Sequence, residues 1–236
     1  MPMLKWLGRD DPFPELESAM REPNGLLAAG GSLTPRRLID AYTHGIFPWY
    51  GESDPILWWS PDPRLVLFPE NLKISRSLKK SLRKEYEIRT DADFEQVMRK
   101  CAEPRKDDAG TWISEEMISA YCALHDMGIA HSIETWMEGE LVGGLYGVSL
   151  GGAFFGESMF SLATDASKVA LAHLVRQLEA WNFSLIDCQV ASAHLFSLGA
   201  EEIPRSRFLA LLAAALKAPG RHGAWKLEIP PAATHP

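Results

Sequence analysis

The stretch from Gly152 to Val190 constrains the fold most, because it predicts a strand, a helix and a second strand in direct succession. The first strand carries a carboxylate at Glu157. A short loop follows, in which Thr164 or Asp165 can cap the helix, and apolar residues then repeat at helical spacing from Leu171 to Trp181. The run SLIDCQV predicts the second strand, so the unit packs an amphipathic helix against a sheet.

The second strand carries two polar residues, Asp187 and Gln189, between apolar neighbours. Side chains two positions apart share one face of a regular strand, so these two are predicted to face one place together. A buried carboxylate without a partner is unfavourable, whereas an amide beside a carboxylate can position a nucleophile or a leaving hydroxyl. We therefore interpret Glu157, Asp187 and Gln189 as a candidate site for acyl transfer from an activated donor. A purely structural polar network is the alternative.

Composition excludes several other classes of protein. The chain has 236 residues, 46% of them hydrophobic, and a formal charge of -7, which favours a globular protein over a general nucleic-acid coat protein. No apolar run reaches the roughly 18 residues of a membrane span, and the first residues lack the order of a signal peptide, so we expect a cytoplasmic protein without membrane contact. Three cysteines, an odd number without a CxxC pair, and scattered histidines predict neither disulfides nor a metal site. No HExxH or GxxxxGK[ST] motif is present.

Proline and the order of the predicted elements indicate two domains. Sixteen prolines, crowded before position 70, predict a small proline- and aromatic-rich N-terminal domain over residues 1–65. Residues 66–236 predict an α+β catalytic domain in which a mixed sheet, including an antiparallel meander after His131, is flanked by helices. The tail after Pro219 is predicted to be loose.

Two further patterns each allow two interpretations. Five cations at helical spacing form one stripe, which suits either phosphate binding or an ordinary solvated face. These are Arg76, Lys79, Lys80, Arg83 and Lys84. An aromatic cluster between Phe47 and Trp59 suits either the packing of a small domain or a surface on which a base stacks.

The residues of many of these segments, taken in order, closely resemble one known family. The strings REPNGLLAAGG, YTHGIFPWY, ILWWSPDPR, ISRSLKK, GTWIS, AHSIETW, ELVGGLYGV, GESMFS, IDCQV and SLGAEEIPR are similar to those of the bacterial leucyl/phenylalanyl-tRNA-protein transferases over about Arg21 to Arg205. The resemblance implies an enzyme that moves leucine or phenylalanine, with methionine as a further candidate, from aminoacyl-tRNA to an N-terminal arginine or lysine of a protein. That transfer would mark the protein for degradation by the N-end rule. The resemblance also implies a catalytic domain related to the acetyltransferase (GNAT) fold and no need for ATP, metal or any other cofactor, and we expect a monomer.

The resemblance also suggests roles for individual residues. Asp187 and Gln189 match the catalytic aspartate and glutamine, and Glu157 matches the active-site glutamate, whose carboxylate would favour a cationic acceptor. Trp49 and Trp112 lie in motifs that hold the terminal adenosine and the aminoacyl side chain. The predicted amino-acid pocket is lined by Met159, Leu174 and Leu178, and the stripe from Arg76 to Lys84 is predicted to meet tRNA phosphates.

Two other functions remain open at this stage, acetyl transfer from CoA on the same scaffold and non-catalytic RNA binding. A CoA enzyme of this fold presents a glycine-rich turn before the central helix, where backbone N–H groups hold the pyrophosphate. The corresponding sequence here is MFSLATDASK, without glycine. This departure disfavours CoA, and the strand-borne Asp187 and Gln189 have no purpose in a protein that only binds RNA.

Overall fold

The N-terminal part of the chain forms a small four-stranded sheet with one helix. The computed structural model describes residues 4–51, 53–103 and 113–228. The strand order of this sheet is β1-β2-β4-β3. Its elements are β1 (Lys5–Leu7), β2 (Leu26–Gly30), α1 (Pro35–Thr43), β3 (Phe47–Pro48) and β4 (Leu57–Trp59).

The rest of the chain builds a seven-stranded sheet in the order β11-β5-β10-β9-β8-β7-β6. Its strands are β5 (Arg64–Leu67), β6 (Glu87–Thr90), β7 (Ala130–Met137), β8 (Glu140–Leu150), β9 (Ala153–Ser161), β10 (Leu185–Gln189) and β11 (Glu201–Ile203). The helices are α2 (Arg76–Ser81), α3 (Phe94–Ala102), α4 (Glu115–Asp126), α5 (Ala166–Ala180), α6 (Ala193–Ser197) and α7 (Arg205–Ala215). The fold is therefore of the predicted α+β class, with a mixed sheet flanked by helices, and the relation to the acetyltransferase fold stays a prediction.

The strand order confirms the two local predictions on which the active-site interpretation rests. Strands β7, β8 and β9 pair antiparallel as a meander, and β9 pairs parallel with β10 across α5, so the sheet is mixed. Glycine permits close packing here, because a Cβ on Gly143 of β8 would lie 2.5 Å from the Cβ of Ala166, the first residue of α5. Gly143 thus serves packing between helix and sheet, whereas a Cβ on Gly147 would lie 2.2 Å from Phe155 O of the neighbouring strand β9.

Two apolar cores lie on opposite faces of the large sheet. On one face α5 and α2 pack over the strands, with side chains such as Leu174 and Leu178 fully buried. The other face packs against α3, α4 and α7 and against the N-terminal unit, whose Tyr42 and Trp58 are fully buried. The N-terminal unit is therefore joined to the sheet by a continuous core.

Asp165 occupies the predicted start of α5, but its side chain does not cap the helix. Its φ of 60° is left-handed, and its carboxylate accepts hydrogen bonds from Ser81 Oγ at 3.0 Å and Lys168 Nζ at 2.8 Å. Ser81 is the last residue of α2. Asp165 thereby ties α2 to the N-terminal end of α5.

The prediction of a loose tail is wrong for residues 220–228. Trp225 is 5% exposed, and its ring stacks on His131 with ring centroids 3.9 Å apart. Its backbone N–H donates to Asp91 Oδ2 at 2.8 Å, while the Glu228 N–H donates to Gln177 Oε1 at 2.8 Å. The segment is held by tertiary contacts to α5 and the sheet, which a sequence without helical or strand periodicity does not reveal.

Among the helices of the described residues, none has both the length and the apolar character needed to cross a membrane.

Replacing Trp225 with alanine should lower the free energy of unfolding by about 3 to 5 kcal/mol, because it opens a cavity under the tail. Trp6, which is 68% exposed, provides the matched control, and its replacement by alanine should change stability little. Urea unfolding monitored by circular dichroism measures both. Equal effects of the two substitutions would contradict a structural role for the tail.

Candidate active site

A cavity of about 820 Å³ opens where strands β9 and β10 diverge. The parallel pairing of the two strands ends at Phe155 and Asp187. Beyond that point, residues 156–162 of β9 and its loop and residues 188–190 of β10 line the cavity. A fork between neighbouring strands leaves backbone and side chains free to meet a ligand, and here it places Glu157 and Gln189 on facing walls.

Asp187 does not open into this cavity as predicted. Its carboxylate is 0% exposed and forms a bidentate pair with Arg64, Nε to Oδ1 at 2.8 Å and Nη2 to Oδ2 at 2.6 Å. The guanidinium lies between the rings of Phe47 and Phe208, 4.7 Å from each centroid. Arg64 is the partner that the buried carboxylate requires. The apolar run RLVLF that begins at Arg64 was the available sequence signal, since a cation at a buried strand also needs a partner.

Gln189 is held in a left-handed backbone conformation that turns it toward Glu157. Its φ is 65°, and the register of β10 against β5 shifts between Asp187 and Gln189. The Gln189 N–H donates to Asp187 Oδ1 at 2.9 Å, and Gln189 Nε2 donates to Glu157 Oε1 at 2.8 Å. A left-handed residue other than glycine is unfavourable by about 1 kcal/mol or more, and such strain is found at functional sites.

Glu157 is hydrogen bonded to three side chains of three different elements. Besides Gln189, Tyr42 Oη of α1 lies 2.8 Å from Oε1, and Tyr121 Oη of α4 lies 3.1 Å from Oε2. The two tyrosine hydroxyls also hydrogen bond to each other. Sequence reasoning missed both tyrosines, because their positions on the apolar faces of two helices predicted only core packing.

Burial dominates the electrostatics of this cluster. It raises the pKa of Glu157 to about 7, although the hydrogen bonds from Tyr42, Tyr121 and Gln189 act in the opposite direction. Burial and the nearby Glu157 also raise the pKa of both Tyr42 and Tyr121 well above the ordinary value. Both tyrosines are therefore neutral at physiological pH.

The deep wall of the cavity is apolar and includes two of the three predicted pocket residues. Met159 and Leu174 line it, whereas Leu178 is buried in the core on α5 and is not among the lining residues. Sequence reasoning missed other apolar side chains of this wall, which are Leu145, Phe154, Leu171 and Ile186. The helical spacing of Leu171 and Leu174 could have indicated the first turn of α5.

Of the two predicted tryptophans, only Trp49 lies among the described residues. Trp49 is 41% exposed, packs on Trp59 with ring centroids 5.5 Å apart, and does not line the cavity. Trp112 lies outside the described residues. Their proposed contacts with adenosine and the aminoacyl side chain stay predictions.

The five predicted tRNA-binding cations are all exposed, but they do not share one helix. Helix α2 ends at Ser81, so it carries Arg76, Lys79 and Lys80, while Arg83 and Lys84 follow in a turn. Within the described ranges none of the five forms an ion pair with a carboxylate closer than 4.0 Å. We call these five residues the cationic surface.

The described residues contain no group of three or more histidine, cysteine, aspartate or glutamate side chains that could hold a metal ion. Cys188 lines the cavity, and burial raises the pKa of its thiol. At the fork, an amide, a carboxyl group and two phenols provide hydrogen bonding.

Replacing Asp187 with asparagine should lower the free energy of unfolding by about 3 to 5 kcal/mol, because it leaves the Arg64 guanidinium buried without its counter-ion. The double substitution Arg64→Met with Asp187→Leu should lose less than Asp187→Asn alone. Glu115→Gln, which breaks the exposed pair with Arg99, is the control and should leave stability unchanged. Chemical denaturation measures all three, and a double variant that loses as much stability as Asp187→Asn, or more, would contradict a coupled buried pair.

Comparison with known proteins agrees with the sequence resemblance. The family model described as leucyl/phenylalanyl-tRNA protein transferase matches residues 66–213, and the model of its N-terminal domain matches residues 31–62. A leucyl/phenylalanyl-tRNA–protein transferase of Nitrosomonas europaea is 65% identical over 96% of this chain and 96% of its own length. One from Nitrosospira multiformis is 67% identical over 87% of this chain and 89% of its own, and one from Nitrosomonas eutropha is 60% identical over 96% and 97%. The chain belongs to the leucyl/phenylalanyl-tRNA protein transferase family.

Proposed function

We propose that this protein transfers leucine or phenylalanine from aminoacyl-tRNA to the α-amine of an N-terminal arginine or lysine of an acceptor protein. The observation that carries the proposal is the pairing of Gln189 with Glu157 at the mouth of an apolar cavity, in a chain that belongs to this family. The acceptor thereby becomes a substrate for degradation in the cytoplasm.

The reaction exchanges an ester for an amide. The acceptor amine attacks the carbonyl carbon of the aminoacyl ester, a C–N bond forms, and the C–O bond to the ribose of the terminal adenosine breaks. The amine loses one proton and the ribose oxygen gains one, so the overall step is balanced without an external reagent. Because the ester already supplies the activation, alignment and hydrogen bonding at the fork suffice for the protein's part.

Gln189 is the residue that aligns the amine. Its NH₂ group is occupied by Glu157 Oε1, so its own carbonyl oxygen is the atom that remains to accept a hydrogen bond from the attacking amine. Asp187 acts indirectly, because it accepts a hydrogen bond from the backbone N–H of Gln189 rather than from its side-chain amide. We therefore assign orientation, and not proton abstraction, to the pair.

The apolar wall of the cavity accommodates the aminoacyl side chain. Met159 and Leu174 form this wall together with Leu171, and a buried apolar lining favours leucine and phenylalanine over polar side chains. Methionine, whose apolar side chain is unbranched, is the further candidate.

The cationic surface binds the phosphates of the tRNA. It adjoins the N-terminal end of α5, since Ser81 is hydrogen bonded to Asp165, and the cavity is lined by Ser167 and Leu171 of the same end of that helix. A tRNA bound there could place its aminoacylated end in the fork. Because the protein as a whole carries a net charge of -7, a cationic surface without carboxylate partners among the described residues supports phosphate binding at this location.

Transfer from CoA is disfavoured by the turn before α5. That turn contains no glycine, and its last residue, Asp165, directs a carboxylate toward Ser81 and Lys168 at the helix N-terminus. A negative charge there repels a pyrophosphate.

Leucyl-tRNA and a peptide beginning with arginine should give a leucine-extended peptide without added ATP or metal. We expect leucyl- and phenylalanyl-tRNA to be effective donors, and peptides beginning with arginine or lysine to be used in preference to one beginning with alanine. Mass spectrometry of the peptide measures this. Transfer to the alanine peptide at an equal rate would contradict the proposed acceptor class.

Gln189→Ala should lower kcat by roughly 100-fold or more with tRNA binding retained, because it removes the group that aligns the amine. The control is Gln96→Ala, an exposed glutamine of α3 that does not line the cavity. Single-turnover transfer and filter binding separate the two effects. Wild-type turnover by Gln189→Ala would remove this residue from the chemical step.

Reversing two charges of the cationic surface, Arg76→Glu with Lys79→Glu, should weaken tRNA binding and reduce its dependence on salt. Arg207→Glu with Lys217→Glu changes the net charge equally, at exposed residues associated with α7 on the opposite face of the sheet. Binding isotherms at several salt concentrations compare the pairs. If both pairs reduce binding and salt dependence equally, the effect belongs to net charge and not to this surface.

A further inference from the structure

The hydroxyl groups of Tyr42 and Tyr121 and the carboxyl group of Glu157 form a closed ring of hydrogen bonds beside the fork. Tyr42 Oη contacts Glu157 Oε1, Tyr121 Oη contacts Glu157 Oε2, and the two phenol oxygens contact each other. All three contacts lie within hydrogen-bond distance, and Tyr42 and Tyr121 are fully buried. Each contact therefore requires one proton between its two oxygen atoms.

Counting protons distinguishes the two states of Glu157. The two tyrosines supply one proton each, which satisfies only two of the three contacts. If Glu157 is ionised, the two tyrosine protons serve two of the contacts, and the third contact brings two oxygen atoms together with no proton between them. If Glu157 is protonated, three protons serve three contacts.

The hydrogen bond from Gln189 sets the direction of the ring. Glu157 Oε1 already accepts from Gln189 Nε2, so this oxygen is the acceptor of the carboxyl group and the proton belongs on Oε2. The bonds then run in one sense, from Glu157 Oε2 to Tyr121, from Tyr121 to Tyr42, and from Tyr42 to Glu157 Oε1. Hydrogen bonds that run in one sense polarise each other favourably.

We infer that Glu157 is a neutral carboxylic acid in the substrate-free protein, and that Tyr42 and Tyr121 are positioning residues that keep its proton on Oε2. This assignment deepens the proposed function, and its consequence for acceptor binding rests on that function. The sequence had suggested an ionised Glu157 as the attraction for a cationic acceptor.

The surrounding groups act in the same direction. The titratable or charged side chains around the ring are Tyr42 on α1, Cys101 on α3, Tyr121 on α4, Arg64 on β5, Tyr146 on β8 and Asp187 on β10. The charge of Asp187 disfavours a second carboxylate nearby, and the cation Arg64 is engaged by Asp187. Burial raises the pKa of Tyr146 well above its ordinary value, so Tyr146 adds no charge.

The acceptor's affinity should follow the charge of Glu157. A neutral acid attracts an arginine or lysine side chain little, whereas the carboxylate formed at higher pH attracts it strongly. Because the pKa of Glu157 is raised to about 7, the KM for an arginine peptide should fall as pH rises through that value. On ionisation the proton leaves to solvent, and no other reagent is required.

Infrared spectroscopy of the substrate-free protein tests the assignment directly. The spectrum should contain the C=O stretch of a protonated carboxyl group that is missing in Glu157→Gln, and this band should disappear with a midpoint of about 7 as pH is raised. No band that depends on Glu157, from about pH 5 upward, would overturn the inference.

Substituting each tyrosine distinguishes a closed ring from two tyrosines that donate to Glu157 independently, because the two arrangements shift the infrared midpoint in opposite directions. In the ring, Tyr42→Phe removes two of the three contacts, and the proton of Tyr121 suffices for the contact that remains, so the midpoint should fall by about one pH unit. If the tyrosines merely donate to a carboxylate, losing one donor raises the midpoint, and this result would overturn the ring. Tyr121→Phe gives an independent test by the same reasoning, and the wild-type titration remains decisive should either variant fail to fold.

Tyr146→Phe is the matched control for these substitutions. Tyr146 is also fully buried and packs against Tyr121 with ring centroids 5.8 Å apart, but its hydroxyl has no hydrogen-bond partner among the described residues. Its loss should leave the midpoint unchanged, and an equal downward shift would overturn the ring.

The infrared titration uses neither tRNA nor peptide, so it stands apart from the transfer assay. A protein without transfer activity that still shows the titrating band would refute the proposed function and support the ring. Normal transfer without the band would refute the ring alone. A KM for the arginine peptide that is constant across the titration would overturn the link between Glu157 and the acceptor.

Discussion

The buried pair of Arg64 and Asp187 is the interaction on which the rest of this structure depends. It joins β5 to β10, and its guanidinium lies between Phe47 of the N-terminal sheet and Phe208 of α7. A bidentate pair in a dry interior is strongly directional, and removing either partner leaves an unpaired buried charge. The same carboxylate holds the backbone of Gln189, so the interaction that unites the elements also sets the geometry of the site.

The cavity is a consequence of how two strands stop pairing. Strands β9 and β10 stay together to Phe155 and Asp187 and then diverge, which exposes Glu157 and Gln189 on facing walls. A regular sheet would have filled this space with ladder hydrogen bonds. The left-handed conformation of Gln189 accompanies the break in register, so local strain and the opening of the cavity are parts of one feature.

The N-terminal unit completes the site as well as packing beside it. Tyr42 of α1 reaches across to Glu157 of the large sheet, where it meets Tyr121 of α4. Three elements distant in sequence thus determine the protonation of one carboxyl group. On the other face of the sheet, Asp165 fixes α2 against α5 and so places the cationic surface at the end of the helix that lines the cavity.

The sequence by itself determined the α+β class, the strand-helix-strand unit, the meander and the candidate residues Glu157 and Gln189, because these depend on local periodicity and on polar residues within apolar runs. It also carried the family resemblance. Only the tertiary structure decided that Asp187 pairs with Arg64 outside the cavity, that Tyr42 and Tyr121 meet at Glu157, and that the tail packs over the sheet. A buried polar group can be identified from its neighbours in sequence, but its partner comes from a distant segment, and packing alone determines which one.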